Sequence, residues 1–269
     1  MLNARGISVR FGTQRVLDGI DLSIPAGRFS ALVGANGSGK TTLLNVLAQL
    51  VKPDSGSVSL GTDPLAGLSR RDIARRIGLL PQITGTPVGL TVGELVMQGR
   101  YPWQNWWRQW SDEDQRAVDA AVALTDIGHL LQRPLTELSG GQRQRCWIAM
   151  TLAQDTPVLL LDEPTTYLDI AHQVELLQLA ADLATRGKTV VAVLHDLNQA
   201  ACYADHLIML RDGGIHAEGE PASVFTADNL EAVFGFRAHI IRDPHSGNPL
   251  CVPRTESAEL ELVSREARL

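Results

Sequence analysis

The sequence predicts an α/β fold: a mostly parallel sheet, an antiparallel β layer at the N-terminus and an inserted helical subdomain. Three observations carry that expectation. Short apolar runs recur at residues 29–33 (broken only by Ser30), 77–80, 158–161 and 190–194, as in parallel strands buried on both faces. Helical patterns separate several of them, the alternation of α/β proteins. The first 24 residues instead alternate apolar and polar side chains, which marks half-buried strands.

Taken in order, Ile7, Val9 and Phe11 define a first strand. Ile20, Leu22 and Ile24 define a second, ended by the turn Pro25-Ala26-Gly27. The apolar run 29–33 enters a glycine-rich loop. After Lys40 the pattern predicts a helix with Leu43, Leu44, Leu47 and Leu50 on one face, ending near Lys52-Pro53. Residues 85–155 lack strong strand signals, and Val118, Ala121 and Val122 share one side of a helix there. A helix over 171–185 should be closed by Gly187, and Asp212-Gly213-Gly214 should join two short strands as a hairpin. Trp103, Trp106, Trp107 and Trp110 recur at helical spacing. They would form one stripe, either packed inside the helical subdomain or exposed as an aromatic patch.

Composition excludes several classes. The chain has 269 residues and a net charge of −6, which disfavours nucleic acid as partner. No apolar run approaches the roughly 18 residues needed to cross a bilayer, and residues 1–14 hold no signal core. Direct bilayer insertion is therefore not expected. Cys146, Cys202 and Cys251 lie far apart without metal-ligand spacing, and read as reduced thiols.

The chemistry lies in three runs. Gly34-Ala35-Asn36-Gly37-Ser38-Gly39-Lys40-Thr41 fits a phosphate loop. Glycines let N–H groups converge on phosphate oxygens, and the following helix adds its positive dipole end. Lys40 supplies a charge to the β and γ phosphates, and Thr41 a hydroxyl to Mg²⁺. Asp162 ends an apolar strand, where a carboxylate can hold Mg²⁺ through water. Glu163, next to it, can take a proton from attacking water. His195 also ends a strand. From periodicity alone it is either structural or a contact to the γ-phosphate. Gln82, read alone, is a surface glutamine whose amide oxygen could bind Mg²⁺ or water. Leu138-Ser139-Gly140-Gly141-Gln142 places a hydroxyl and glycine N–H groups before the helical-looking residues 143–152, a second anion site. One ATP needs one such loop, so the second must serve another nucleotide or another copy's nucleotide.

Together these motifs resemble the ATP-binding cassette (ABC) family over residues 2–219. The resemblance implies a phosphate-loop ATPase core spanning 1–240, the helical subdomain inserted at about 85–155, and a C-terminal extension over 241–269 whose end frays. It implies a homodimer in which each ATP lies between one subunit's phosphate loop (Gly34 to Thr41, with Thr42) and the partner's Ser139, Gly140, Gly141 and Gln142. It assigns Glu163 as catalytic base, His195 as γ-phosphate contact, Gln82 as sensor between Mg²⁺ and the membrane partner, and Asp169 as a residue crossing the dimer interface. Phe11 falls where the family stacks an aromatic on adenine. Thr166-Tyr167-Leu168-Asp169 and Ala35 depart from common family residues without removing a needed group.

Gly99-Arg100-Tyr101-Pro102, Pro164 to Ile170, and His195-Asp196-Leu197-Asn198-Gln199-Ala200 resemble the iron(III)–siderophore importers, such as the ferric-enterobactin and ferric-citrate systems. That branch implies two permease subunits, a periplasmic siderophore-binding protein acting indirectly, and a place at the cytoplasmic face of the bacterial inner membrane. Cobalamin and haem importers are close relatives. A soluble ABC ATPase fits less well: only 96 residues separate Thr41 from Leu138, and no heptad run lies among them.

Overall fold

The computed structural model describes residues 1–82, 85, 87–104 and 110–254. The described chain runs β1 (Leu2–Phe11), β2 (Gln14–Ile24), β3 (Phe29–Gly34), α1 (Lys40–Leu47), β4 (Ser55–Leu60), β5 (Asp63–Pro64), α2 (Arg70–Ala74), β6 (Ile77–Leu80), α3 (Val92–Gln98), α4 (Asp112–Leu124) and α5 (Gly140–Ala153). It continues through β7 (Val158–Asp162), α6 (Ile170–Thr185), β8 (Thr189–Val193), α7 (Leu197–Tyr203), β9 (His206–Arg211), β10 (Gly214–Gly219), α8 (Pro221–Val224), α9 (Ala227–Phe234), β11 (Ala238–Arg242) and β12 (Pro249–Pro253).

The central sheet has the order β10-β9-β3-β8-β7-β6. Its strands β6, β7, β8, β3 and β9 are mutually parallel, and only the edge strand β10 is antiparallel. A separate antiparallel sheet, β2-β1-β4-β5, forms the N-terminal layer. The alternation of side chains decides what lies on each face. On β3 and β8, Leu32, Val191 and Val193 join a core with β1, β2 and the Leu43, Leu44 and Leu47 face of α1. Phe29, Ala31, Val33, Val190 and Ala192 point the other way, into a core shared with α6, α7 and α9. Parallel strands that feed both cores must be apolar throughout, as the sequence had indicated.

The helical layer packs around a third cluster that includes Val92, Leu95, Val96, Val118, Ala121 and Cys146. α3 and α4 each start with a capping box, Thr91 with Glu94 and Ser111 with Asp114. α6 ends in a Schellman arrangement around Gly187: Gly187 N–H donates to Ala184 O and Lys188 N–H to Leu183 O. The Asp212-Gly213 turn joins β9 to β10 as expected and also meets the N-terminal layer, because Asp18 N–H donates to Gly213 O at 3.0 Å.

Three expectations need correction. α1 stops at Leu47, not near Lys52. Gln49 adopts φ 58 and its amide donates to Val46 O, so the chain turns away and Leu50 is exposed. The helix expected over 143–152 is α5, which begins at Gly140, three residues earlier, with Ser139 as its N-cap. The tryptophan stripe is not carried by a helix at its described ends: Trp103 lies in a turn and Trp110 precedes α4. Trp103 instead donates from Nε1 to Gln154 O at 2.7 Å. Trp106 and Trp107 lie outside the described residues.

Candidate functional site

Four parallel strands end on one edge of the central sheet and deliver the predicted residues side by side. β3 leads through Gly34 into the glycine loop, β7 ends at Asp162 and Glu163, β8 is followed by His195, and β6 by Gln82. This is the edge where open α/β sheets bind ligands.

The loop itself is closely built. A Cβ at Gly34 would lie 2.4 Å from Leu210 O and 2.7 Å from Ser38 Oγ, so the loop can pass only without a side chain there. Lys40 is buried and donates from Nζ to Gly34 O and Ala35 O, both at 2.9 Å. Burial pushes its ammonium below the ordinary lysine range, against the pull of the Glu163 and Asp162 carboxylates. α1 starts at N-cap Gly39 with no side-chain cap and no acidic residue in its first turn. Its first N–H groups are therefore left for an outside acceptor. Ser38 Oγ is buried without a hydrogen-bond partner among the described residues. A buried hydroxyl of this kind calls for a ligand atom, and the loop fits a phosphate chain.

Thr41 Oγ1 donates to Asp162 Oδ1 at 3.1 Å. Burial pushes the Asp162 carboxyl above the usual range. The Thr41 hydrogen bond opposes this, and the neighbouring Glu163 charge adds to it. Two hard oxygens, one on an aspartate whose buried charge is only partly compensated, fit Mg²⁺.

Glu163 sits at φ 51, in the left-handed region, and its partners differ from those of Asp162. Its Oε1 lies 2.7 Å from His195 Nε2, and its Oε2 accepts from Gln82 Nε2 at 3.2 Å. The carboxylate is mostly covered, whereas the His195 ring is half exposed. Sequence reasoning passed over Gln144, which donates to Pro164 O at 3.0 Å from inside the α5 packing. Its place in an ordinary helical pattern offered no signal.

Ser139 to Gln142 stand apart from these groups. Ser139 Oγ accepts from Gln142 N–H and Gln142 Oε1 accepts from Ser139 N–H, a capping box that starts α5. Gly140 and Gly141 lie against Tyr167 and Leu168, and Gly140 is open to solvent. Asp169 caps α6 through His172 N–H at 2.9 Å and also holds His172 Nδ1 at 2.7 Å. Phe11 is exposed at the β1–β2 turn, opposite Gln14.

Residues 17–166 match the family model for ABC transporters. The chain is similar to the ferric enterobactin transport ATP-binding protein FepC of Escherichia coli (strain K12), at 47% identity over 96% of this chain and 95% of that one. It is also similar to the iron(3+)-hydroxamate import ATP-binding protein FhuC of Bacillus subtilis (strain 168), at 42% identity over 93% and 94%. Among solved structures it superposes on the dimeric bacterial ABC transporter cassette MJ0796 with a TM-score of 0.73, at 28% identity over 82% and 98% of the two chains.

Proposed function

This chain belongs to the ABC transporter family, and on that premise we propose that it is the ATP-hydrolysing subunit that powers import of iron(III)–siderophore complexes through a separate permease. The observation that supports the chemistry best is the convergence of Lys40, Asp162, Glu163 and His195 on one sheet edge, with Glu163 and His195 in contact at 2.7 Å. The names of the relatives at 42–47% identity support the cargo.

In this reading Lys40, the loop 34–41, Thr42 and the uncapped start of α1 bind the β- and γ-phosphates, and Phe11 stacks on adenine. Mg²⁺, held by Thr41, by Asp162 through water and by Gln82, would neutralise charge on the transferring phosphoryl group. Glu163 accepts a proton from the water that attacks the γ-phosphorus, giving ADP and phosphate. For that, its carboxylate must turn from His195 and Gln82 to the water, which frees His195 for a γ-phosphate oxygen.

ABC cassettes work as dimers with transmembrane partners, and no helix among the described residues is long and apolar enough to cross a membrane. We place the chain as a homodimer at the cytoplasmic face of the bacterial inner membrane, beneath two permease subunits fed by a periplasmic siderophore-binding protein. Ser139, Gly140, Gly141 and Gln142 then complete the partner's site, Asp169 crosses the interface, and Gln82 passes its state to the permease.

Mixed dimers test the composite site. Lys40→Ala and Gly141→Asp chains should each be inactive alone. Coexpressed, they should regain ATPase activity, because one of the two sites in each mixed dimer then has both halves intact. Activity that stays absent in isolated mixed dimers would sink the composite arrangement. Iron uptake from siderophores should fail in a Glu163→Gln strain; uptake that persists there, alongside lost cobalamin or haem uptake, would reassign the cargo.

A further inference from the structure

The loop after Glu163 is strained at both ends, with Glu163 at φ 51 and Tyr167 at φ 67. Such positions persist only where surrounding contacts over-determine them. Here two glutamine amides supply part of that restraint. Gln173, on α6, donates from Nε2 to Leu168 O at 3.0 Å and to Thr165 O at 3.3 Å. Its Oε1 accepts from Gln199 Nε2 at 2.9 Å. Gln199 lies on α7, and its own N–H donates to the capping carboxylate of Asp196 at 2.9 Å. Asp196 directly follows His195, whose ring returns to Glu163 at 2.7 Å. A closed circuit of hydrogen bonds and chain therefore joins the carboxylate, its loop, α6, α7 and the imidazole. The outer side of α7 is fixed as well, since Asn198 pairs with the Cys251 backbone of β12 through Cys251 N–H to Oδ1 at 2.8 Å and Nδ2 to Cys251 O at 3.3 Å.

We propose that Gln173 and Gln199 are positioning residues that hold the Glu163 loop and His195 in one mutual geometry. This rests on the reading that Glu163 is the base. Neither amide is among the groups placed on the phosphates, so each acts through the loop and through α7. The residue type matters. An amide offers two donor hydrogens and an acceptor, and Gln173 uses both donors on the loop and the acceptor on Gln199. A glutamate there would keep the acceptor and turn charge against two carbonyls. A leucine would keep the volume and lose all three bonds. Because the geometry governed is that of water attack rather than of nucleotide binding, turnover should fall while affinity stays.

The test uses the full-length chain assembled with its permease and MgATP as probe. Gln173→Leu and Gln199→Leu should each lower kcat by about ten- to a hundredfold, the cost of small misplacement. KM and ATP affinity should stay within about twofold. The double variant should be no slower than the slower single variant, because the two act as one unit. Wild-type kcat in Gln199→Leu, losses that multiply in the double variant, or a rise in KM that matches the loss would each overturn the proposal. If Gln173→Leu does not fold, Gln199→Glu still decides it. That change stays polar at a half-buried position and sets an acceptor against Gln173 Oε1, so unchanged turnover there also overturns the proposal. Glu163→Gln separates the two levels. Normal turnover in that variant refutes the base assignment and this inference together. An inactive Glu163→Gln with normal glutamine variants refutes the inference alone.

Discussion

Replacing Arg100 by methionine removes the most buried ion pair of the described chain. Arg100 Nε meets Asp114 Oδ1 at 2.8 Å, and both side chains are 3% exposed. The guanidinium also donates to Ala153 O at 3.0 Å and lies 5.3 Å from the Trp103 ring. Methionine keeps most of the volume and strands the Asp114 carboxylate in the interior. Breaking such a pair from one side costs about 3–5 kcal/mol. Asp114 keeps its Ser111 hydrogen bonds, at 2.7 Å from the hydroxyl and 3.0 Å from the N–H, so we expect the low end, about 3 kcal/mol. The loss should depend on pH. Burial pushes the Asp114 carboxyl up, but hydrogen bonds from Ser111 and Arg100 outweigh it and hold it below the usual value of 3.8. A group depressed on folding stabilises above its unfolded pKa, and that contribution is lost as pH falls through the folded one. Urea denaturation of the full chain at neutral pH and at successively lower pH should therefore show a large gap between wild type and Arg100→Met that narrows below about pH 4. A neutral-pH loss under about 1 kcal/mol, or a gap that stays constant with pH, would refute the reasoning.

Three further outcomes follow from the same kind of geometry. Gly99→Ala should destabilise by about 1–3 kcal/mol or more in urea, because the new Cβ would stand 2.2 Å from Met150 O and 3.1 Å from Ala153 Cβ. Asp162→Asn should raise the unfolding free energy of the nucleotide-free chain, measured in urea at neutral pH, by about 1 kcal/mol while weakening MgATP binding. Its folded carboxyl is pushed up, so ionisation opposes folding above that value, and the gain should vanish in acid as the wild-type group protonates. Alkylation at pH 8 should label exposed Cys202 quickly and Cys146 only after unfolding, since burial pushes the Cys146 thiol up to about 11. Equal rates would contradict the packing.

The parts legible in the sequence are those where one local pattern has one physical solution. Four apolar runs had to be strands buried on both faces, and a glycine loop between strand and helix had to leave α1 uncapped. The uncapped Gly39 start is what separates that helix from α5, which closes its own N-terminus with Ser139 and Gln142. The parts that stayed hidden depend on contacts between distant segments. Nothing near Leu50 announces that Gln49 will turn left-handed, and β4 is polar enough to pass for loop because only Val58 of its six residues is buried. The β11–β12 hairpin was missed for the same reason: it is held by α7 through Asn198, 53 residues from Cys251 in the chain.

The motifs that pointed to the importer branch turn out to be joints rather than cargo contacts. Gly99 lets α3 touch the backbone of α5, Arg100 ties both to the start of α4, and Pro102 O accepts from Arg71 and Arg75 of the α2 region at 2.8 Å each. Gln199 of the His195 motif bonds Gln173, just beyond the Pro164 to Ile170 motif, and so links the two. The first joint seats the helical layer that carries Ser139 to Gln142, and the second seats Glu163 against His195. A joint of this kind cannot read a chelate. On the proposed function, what it can do is set how stiffly closure over ATP is transmitted through the helical layer, and a stiff joint requires buried, bonded groups such as the Arg100–Asp114 pair. Substituting such residues should therefore alter the coupling of hydrolysis to transport without altering which chelate is carried.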